Sequence, residues 1–205
     1  MIDNQPDNGR LTPMPPVQIV KNLLSDEAFE SLRDYVVHSA RHMGHYEPTF
    51  HRTVVQEPRV LTDVHRELAI FASELSGQKL KPSYCIVANY LDEGMCPLHA
   101  DQKLCFYTVD LLVATESDSP WPLMIGEKWT DEQWDLNGYK DPERYSGDPS
   151  PEELDVKWTQ VDLLPNHAAC YSGTHSWHYR PNKSHGKTDL VFFHFVSEDF
   201  DEEFD

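Results

Sequence analysis

The chain has 205 residues, 39% of them hydrophobic, so it is long enough to bury the core of one domain and is not a disordered polymer. Its formal net charge of −18 argues against binding to a nucleic-acid backbone, because phosphates need lysine and arginine partners. No run of about eighteen apolar residues occurs, so we expect no membrane-spanning helix.

The net charge and the cysteines also bear on the kind of substrate and on the cellular compartment. The acidic charge has two interpretations, a cationic substrate or partner, or simply a well-solvated surface. The first ten residues are polar and lack the regions of a signal peptide. Four cysteines fit no zinc site or redox pair, so we expect free thiols in a reducing, cytoplasmic compartment; they are Cys85, Cys96, Cys105 and Cys170.

The first half of the chain predicts helices. Residues 1–16 have the composition of a loose leader, and residues 17–24 are apolar. Ser25 is a good N-cap for a helix whose apolar residues recur every three or four positions as far as a stop at Gly44. A second helix is predicted over residues 62–76 and ends at Gly77.

After Gly77 the pattern changes to short apolar, aromatic or β-branched segments separated by turn residues. We predict an α+β fold in which a jelly-roll barrel, or double-stranded β-helix, carries the N-terminal helices packed on it. The barrel and helices would form a single domain over residues 17–196. The predicted strands are residues 84–91, 104–115, 121–125, 157–164, 168–172 and 188–196.

Two acidic segments interrupt or follow the predicted strands. Residues 126–157 hold ten acids and four bases together with four aromatic residues, and they are too long for an ordinary connection. They are either a structural insertion packed by its own aromatics or a lid facing the substrate. Residues 197–205 contain six acids in nine positions, which is typical of a solvated tail.

The sequence His99-Ala-Asp101 is the strongest chemical signal. A histidine and an aspartate two positions apart on an extended strand point to the same side. With one further histidine they can fill one face of an octahedral iron(II) site and leave three positions open. His99 follows a turn and precedes an apolar segment at 105–113, so we expect it at a strand entrance.

Two histidines compete for the third ligand position. His175 and His178 are separated by an odd number of residues, so a regular strand would point them to opposite faces. Only one of them is therefore expected to reach the metal.

These motifs resemble the 2-oxoglutarate/iron(II)-dependent dioxygenase superfamily, and most closely its prolyl-hydroxylase-like branch. The resemblance covers about residues 84–196, and the apolar segment 17–24 before a capped helix is similar to the opening of that branch. In the family, a basic residue nine or ten positions after the distal histidine binds the far carboxylate of 2-oxoglutarate. His178 stands nine positions before Lys187, which favours His178 as the distal ligand.

The resemblance also implies roles for other residues. Lys187 would bind the cosubstrate, with Arg180 as the competing candidate, and Tyr90 would donate to the same carboxylate. The implied cofactor is Fe(II), with 2-oxoglutarate and dioxygen as cosubstrates. Since Asp101 is present where the related halogenases lack the carboxylate, halogenation is not expected.

The implied activity is hydroxylation of an unactivated C–H bond of a small molecule, such as an amino acid or natural-product intermediate. No nucleic-acid or membrane partner is expected, and the sequence does not indicate an oligomeric state. Three alternatives remain open: hydroxylation of a protein or peptide side chain, a cupin-like metal-binding module without oxygenase activity, and an inactive interaction protein.

Overall fold

The computed structural model describes residues 17–127, 150–153, 156–181 and 186–201. The expected leader, most of the acidic insertion and the last four residues of the tail lie outside the described residues. The helices are α1 (Asp26–Asp34), α2 (Arg41–Met43) and α3 (Thr62–Ser76). The strands are β1 (Gln18–Val20), β2 (His45–Glu47), β3 (Arg52–Gln56), β4 (Leu80–Tyr90), β5 (Cys96–His99), β6 (Tyr107–Thr115), β7 (Leu123–Gly126), β8 (Trp158–Val161), β9 (Ala168–Tyr171), β10 (His178–Arg180) and β11 (Thr188–Ser197).

The N-terminal helical segment begins as the sequence predicts, at Ser25. The Ser25 hydroxyl accepts a hydrogen bond from the Ala28 amide at 3.3 Å, so the first turn is capped. The expected single α-helix is instead α1, a π-helical segment (Tyr35–Ala40) and α2. The second predicted helix is confirmed as α3, which ends at Gly77 in the left-handed conformation with φ of 71°.

The strands form two antiparallel sheets. One has seven strands in the order β1-β9-β6-β11-β4-β3-β2, and the other has four in the order β5-β10-β7-β8. Alternate residues of the long strands enter two separate apolar clusters. Val87 and Val191 pack with residues of α1 and α3, whereas Tyr90 and Leu190 pack with residues of the small sheet. The continuous apolar runs in the sequence therefore reflect strands that are buried on both faces.

Several short strands were not anticipated from the sequence. The strands β2 and β3 extend the large sheet beside β4, and β5 and β10 belong to the small sheet. His99 is the last residue of its own strand, β5, rather than the entrance to the next one. Residues Lys103–Cys105 form a 3-10 turn, with the Cys105 amide donating to the Gln102 carbonyl at 2.8 Å, so β6 begins only at Tyr107.

The four cysteines are free and buried, as predicted. Within the described part of the chain, none of the helices has both the length and the apolar character needed to cross a membrane.

Candidate metal centre

His99 and His178 are brought together by the pairing of two short strands. β10 is antiparallel to β5, and the two histidines lie directly opposite each other in its register. Their ring centroids are 4.2 Å apart. Asp101 follows β5, and its amide donates to the Gly173 carbonyl at 3.0 Å, which fixes the chain after the strand. Residues distant in sequence thus meet at one end of the small sheet.

The ligand atoms of these three residues converge on one point. The Asp101 Oδ1 atom lies 3.5 Å from His99 Nε2 and 3.5 Å from His178 Nε2. Metal–ligand bonds of about 2.1 Å at right angles would put neighbouring ligand atoms about 3 Å apart. The three side chains could therefore bind a metal ion after small movements, and two histidines with one carboxylate are the donor set of non-heme iron(II) oxygenases.

Both imidazole rings are held with Nε2 facing this point. His99 Nδ1 donates to the Pro97 carbonyl at 2.8 Å, and His178 Nδ1 donates to the Ser176 carbonyl at 3.0 Å. A carbonyl oxygen can only accept, so each neutral ring carries its proton on Nδ1 and leaves the Nε2 lone pair for a metal. Such outer hydrogen bonds are typical of metal-binding histidines.

Two buried residues of the large sheet orient the Asp101 carboxylate through its Oδ2 atom. Thr108 Oγ1 donates to Asp101 Oδ2 at 3.2 Å, and His194 Nδ1 lies 3.1 Å from the same hydroxyl. Because the hydroxyl proton goes to Asp101, His194 is the donor to Thr108. Burial lowers the pKa of His194 to about 4, so it is neutral in this chain of hydrogen bonds. Burial alone would raise the pKa of Asp101, but His178 and His99 hold it well below its usual range.

His175 is placed elsewhere. Its Nδ1 lies 2.7 Å from Thr174 Oγ1 and 3.3 Å from Ser172 Oγ, and its ring meets Phe106 edge-on. It is not in the group formed by His99, Asp101 and His178.

Arg180 lies in the same cavity as the three metal-ligand candidates. It stands two residues after His178 on β10, so both side chains point between the sheets. The guanidinium is almost fully buried: Nη2 donates to Asp110 Oδ2 at 2.6 Å and Nη1 donates to the Trp121 carbonyl at 2.8 Å.

Lys187 lies in a different cavity, on the side of the large sheet that faces the helices. Thr188 pairs with Tyr90, which points between the sheets, so the alternation of the strand turns Lys187 to the opposite face. Lys187 is exposed, and it shares its cavity with Arg41 and His42. The structure therefore brings Arg180, and not Lys187, to the metal-ligand group.

Tyr90 and Arg52 complete the polar wall of the metal-ligand cavity. The Tyr90 hydroxyl is fully buried and accepts a hydrogen bond from Arg52 Nη1 at 2.7 Å. Arg52 Nε donates to Glu47 Oε2 at 2.7 Å, and the guanidinium lies 4.2 Å from the centre of the Phe50 ring. Arg52 is thus held in a fixed orientation by three neighbours.

We expect Gly173→Ala to disturb the metal-ligand group although Gly173 is not a ligand. A Cβ atom there would overlap Asp101 Oδ2, and would lie 2.6 Å from the Cys105 carbonyl and 2.7 Å from Thr108 Oγ1. Overpacking of this kind destabilises a fold by about 1–3 kcal/mol, and loss of outer support weakens metal binding by about tenfold to a hundredfold.

Metal titration and denaturant unfolding of the Gly173→Ala variant test this expectation. Gly44→Ala is the control, because its Cβ would crowd Val54 and Thr53 and no member of the metal-ligand group, and so should affect only stability. Unchanged metal affinity in Gly173→Ala would contradict the assignment of Gly173 as the residue that makes room for Asp101.

No protein-family model matches this sequence, and no curated protein sequence matches it significantly. Solved structures do match. The carbocyclase SnoK from nogalamycin biosynthesis, described as non-heme and alpha-ketoglutarate-dependent, superposes with a TM-score of 0.65 at 10% identity, over 92% of this chain and 82% of that one. HygX from Streptomyces hygroscopicus, with nickel, 2-oxoglutarate and hygromycin B bound, gives a TM-score of 0.64 at 10% identity, over 91% and 85%. A prolyl-4-hydroxylase from Pseudomonas putida gives 0.58 at 7%, over 88% and 92%.

The chain has the fold of the 2-oxoglutarate/iron(II) oxygenases. The resemblance drawn from the sequence is confirmed at the level of the fold. Four residues that support the candidate site were not predicted from the sequence: Thr108, Asp110, His194 and Arg52. Two of them carried a signal, because Thr108 and Asp110 are polar residues two positions apart in the mostly apolar strand β6.

Proposed function

We propose that this protein is an iron(II)- and 2-oxoglutarate-dependent oxygenase. The observation that carries the proposal is the convergence of His99 Nε2, His178 Nε2 and Asp101 Oδ1, within 4.8 Å of one another, in this fold. The fold that this chain shares with its structural neighbours supports the proposal. The proposal is also supported because the metal-ligand group contains the His99-Ala-Asp101 motif that was identified from the sequence. In this proposal, strands β4 to β11 form the double-stranded β-helix of a single domain over residues 17–196.

The donor set fits iron(II) and leaves room for further ligands. The two imidazoles present Nε2 because their Nδ1 atoms are hydrogen-bonded, and the carboxylate presents Oδ1 because Oδ2 accepts from Thr108. Iron(II) held there would couple the oxidative decarboxylation of 2-oxoglutarate by dioxygen to oxidation of a substrate C–H bond. His99, Asp101 and His178 would hold the iron and would leave coordination positions free for these reactants.

Arg180 is our candidate for the 2-oxoglutarate anchor. Its backbone stands about 6.6 Å from that of His178 along the strand, and its guanidinium lines the same cavity, where it can meet the far carboxylate of a dicarboxylate held at the metal. Its remaining N–H groups can make charge-assisted hydrogen bonds to a carboxylate. Tyr90 lines the same cavity, and its hydroxyl is hydrogen-bonded to Arg52. Tyr90 would therefore contact 2-oxoglutarate next to Arg180, without being the anchor itself.

We propose a small-molecule substrate that is hydroxylated at an unactivated carbon. The cavity that holds the metal-ligand group is lined by Phe50, Phe192 and Leu123 as well as by polar residues, so it can exclude water from a compact substrate. The structural neighbour HygX holds hygromycin B, a small molecule, in the same fold. The net charge of −18 favours a cationic substrate.

A screen for substrate-stimulated succinate release tests this function. The protein, supplied with iron(II), 2-oxoglutarate and dioxygen, is presented with amino acids, natural-product intermediates and peptides, and Asp101→Ala serves as the inactive control. We expect a small molecule to raise succinate release well above the uncoupled rate. Stimulation by peptides alone would reassign the substrate class, and succinate release that is equal in Asp101→Ala would contradict the oxygenase assignment.

A further inference from the structure

A buried ion pair lies between the sheets beside the metal-ligand group. Asp110, on β6, is fully buried and accepts from Arg180 through Oδ2 at 2.6 Å. Its other oxygen, Oδ1, has no hydrogen-bond partner among the described residues. A buried carboxylate oxygen without a donor is unfavourable, and its occurrence in a cavity indicates a position that a ligand or a proton completes.

The charges in this cavity do not balance when the proposed ligands are added. Arg180 and Asp110 neutralise each other, and Arg52 is neutralised by Glu47. Iron(II) and the two carboxylates of 2-oxoglutarate also cancel. The charge of Asp101 is left over, so the loaded site carries −1 in a buried place. This extra negative charge would act on Asp110, because Asp110 and the distal carboxylate of 2-oxoglutarate would both contact the Arg180 guanidinium.

We propose that Asp110 takes up one proton from solvent when 2-oxoglutarate binds, and donates it through Oδ1 to the distal carboxylate of the cosubstrate. This inference rests on the proposed function, and it assigns Asp110 as a positioning residue that keeps hold of Arg180 through Oδ2. The O–H group formed gives Oδ1 the partner that it lacks, and the proton removes the excess charge.

The surroundings of Asp110 favour this protonation. Burial raises the pKa of Asp110, whereas the Arg180 guanidinium opposes the shift. Asp101 and His178 also face this carboxyl, but in the loaded site both would be bound to the metal, with His178 as a neutral ring. A second carboxylate on Arg180 weakens that opposition, because two like charges in one site cannot both ionise easily. Cys96 and Tyr171, which line the same cavity, are neutral, since burial raises the pKa of Cys96 to about 11 and that of Tyr171 well above its ordinary value.

Calorimetry in two buffers with different heats of ionisation counts the protons. The protein is first saturated with Mn(II), which removes turnover, and is then titrated with 2-oxoglutarate near pH 7.5. We expect an uptake of about one proton per 2-oxoglutarate bound. By linkage, the Kd for 2-oxoglutarate should rise by up to tenfold per pH unit above neutrality, because uptake of a proton becomes harder as the pH rises.

Two controls assign the proton to Asp110. Asp110→Asn keeps an acceptor for Arg180 and a permanent donor, so its proton uptake should fall to about zero and its Kd should lose the dependence on pH. Asp63→Asn, at a side chain that is 90% exposed on α3, should behave as wild type. With wild-type protein, 2-oxopentanoate lacks the distal carboxylate and should bind without proton uptake, so equal uptake with this ligand would overturn the proposal even if Asp110→Asn does not fold.

The outcomes separate the two proposals. Binding of 2-oxoglutarate with no proton uptake, or uptake that persists in Asp110→Asn, overturns the role of Asp110 and leaves the proposed function standing. Failure of the Mn(II) protein to bind 2-oxoglutarate at all overturns the proposed function, and this inference with it.

Discussion

Replacing His178 with alanine is expected to abolish turnover and to reduce iron(II) binding below detection. In the proposed site His178 would supply one of three protein ligands, and its Nε2 lies 3.5 Å from Asp101 Oδ1. The same loss is expected for His99→Ala and Asp101→Ala. Anaerobic iron(II) titration measures the binding, and circular dichroism shows whether the variants keep the fold.

His175→Ala is the matched control for this prediction. His175 is also buried and lies three residues away, but its Nδ1 contacts Thr174 and Ser172 rather than the metal-ligand group. We therefore expect this variant to bind iron(II) like the wild type. The assignment of the distal ligand would be wrong if His175→Ala lost the metal and His178→Ala retained it.

The second large effect is expected at Arg180. Arg180→Ala should raise the Kd for 2-oxoglutarate by about a hundredfold or more, while Lys187→Ala should change it little. Loss of one partner of a buried charge pair costs about 3–5 kcal/mol, and each 1.4 kcal/mol is about tenfold in Kd. Lys187, just before β11, is exposed and lines the cavity on the helix side of the large sheet, not the cavity of the metal-ligand group. The measurement is a 2-oxoglutarate titration of metal-loaded protein.

Arg180→Ala also leaves Asp110 as an unpaired buried carboxylate, so part of its effect could come from misfolding. The double variant Arg180→Gln with Asp110→Asn restores a neutral hydrogen-bonded pair and should fold, yet still bind 2-oxoglutarate weakly. If Lys187→Ala weakened 2-oxoglutarate binding and Arg180→Ala did not, the anchor would be Lys187 and our assignment of Arg180 would be wrong.

The comparison of Arg180 with Lys187 shows what the sequence could and could not predict. The spacing of nine residues from His178 pointed to Lys187, but spacing does not determine which face of a strand a residue occupies. That face depends on the register of β11 against β4, where Thr188 pairs with Tyr90. Register depends on contacts between residues distant in sequence. The face that Arg180 occupies follows instead from the two-residue alternation along β10, which starts at His178.

The same distinction applies to the rest of the candidate metal centre. The His99-Ala-Asp101 motif could be recognised because its two candidate ligands are neighbours in the sequence. The choice between His175 and His178 was not settled by alternation, because residues 173–176 form a turn and β10 begins only at His178. The helix ends at Ser25 and Gly77 were predictable from local chemistry. The three-residue strand β10 was not, because so short a segment acquires its conformation from its partners β5 and β7.

The central claim is that one site binds iron(II) and 2-oxoglutarate together. The most direct test is an anaerobic titration of the iron(II)-loaded protein with 2-oxoglutarate, followed by visible absorption. Chelation of iron(II) by the 2-oxoacid group produces a metal-to-ligand charge-transfer band. We predict that the band develops with one equivalent of 2-oxoglutarate and is absent in His178→Ala. Bound iron(II) that gives no band with 2-oxoglutarate, or a band that is unchanged in His178→Ala, would contradict the account.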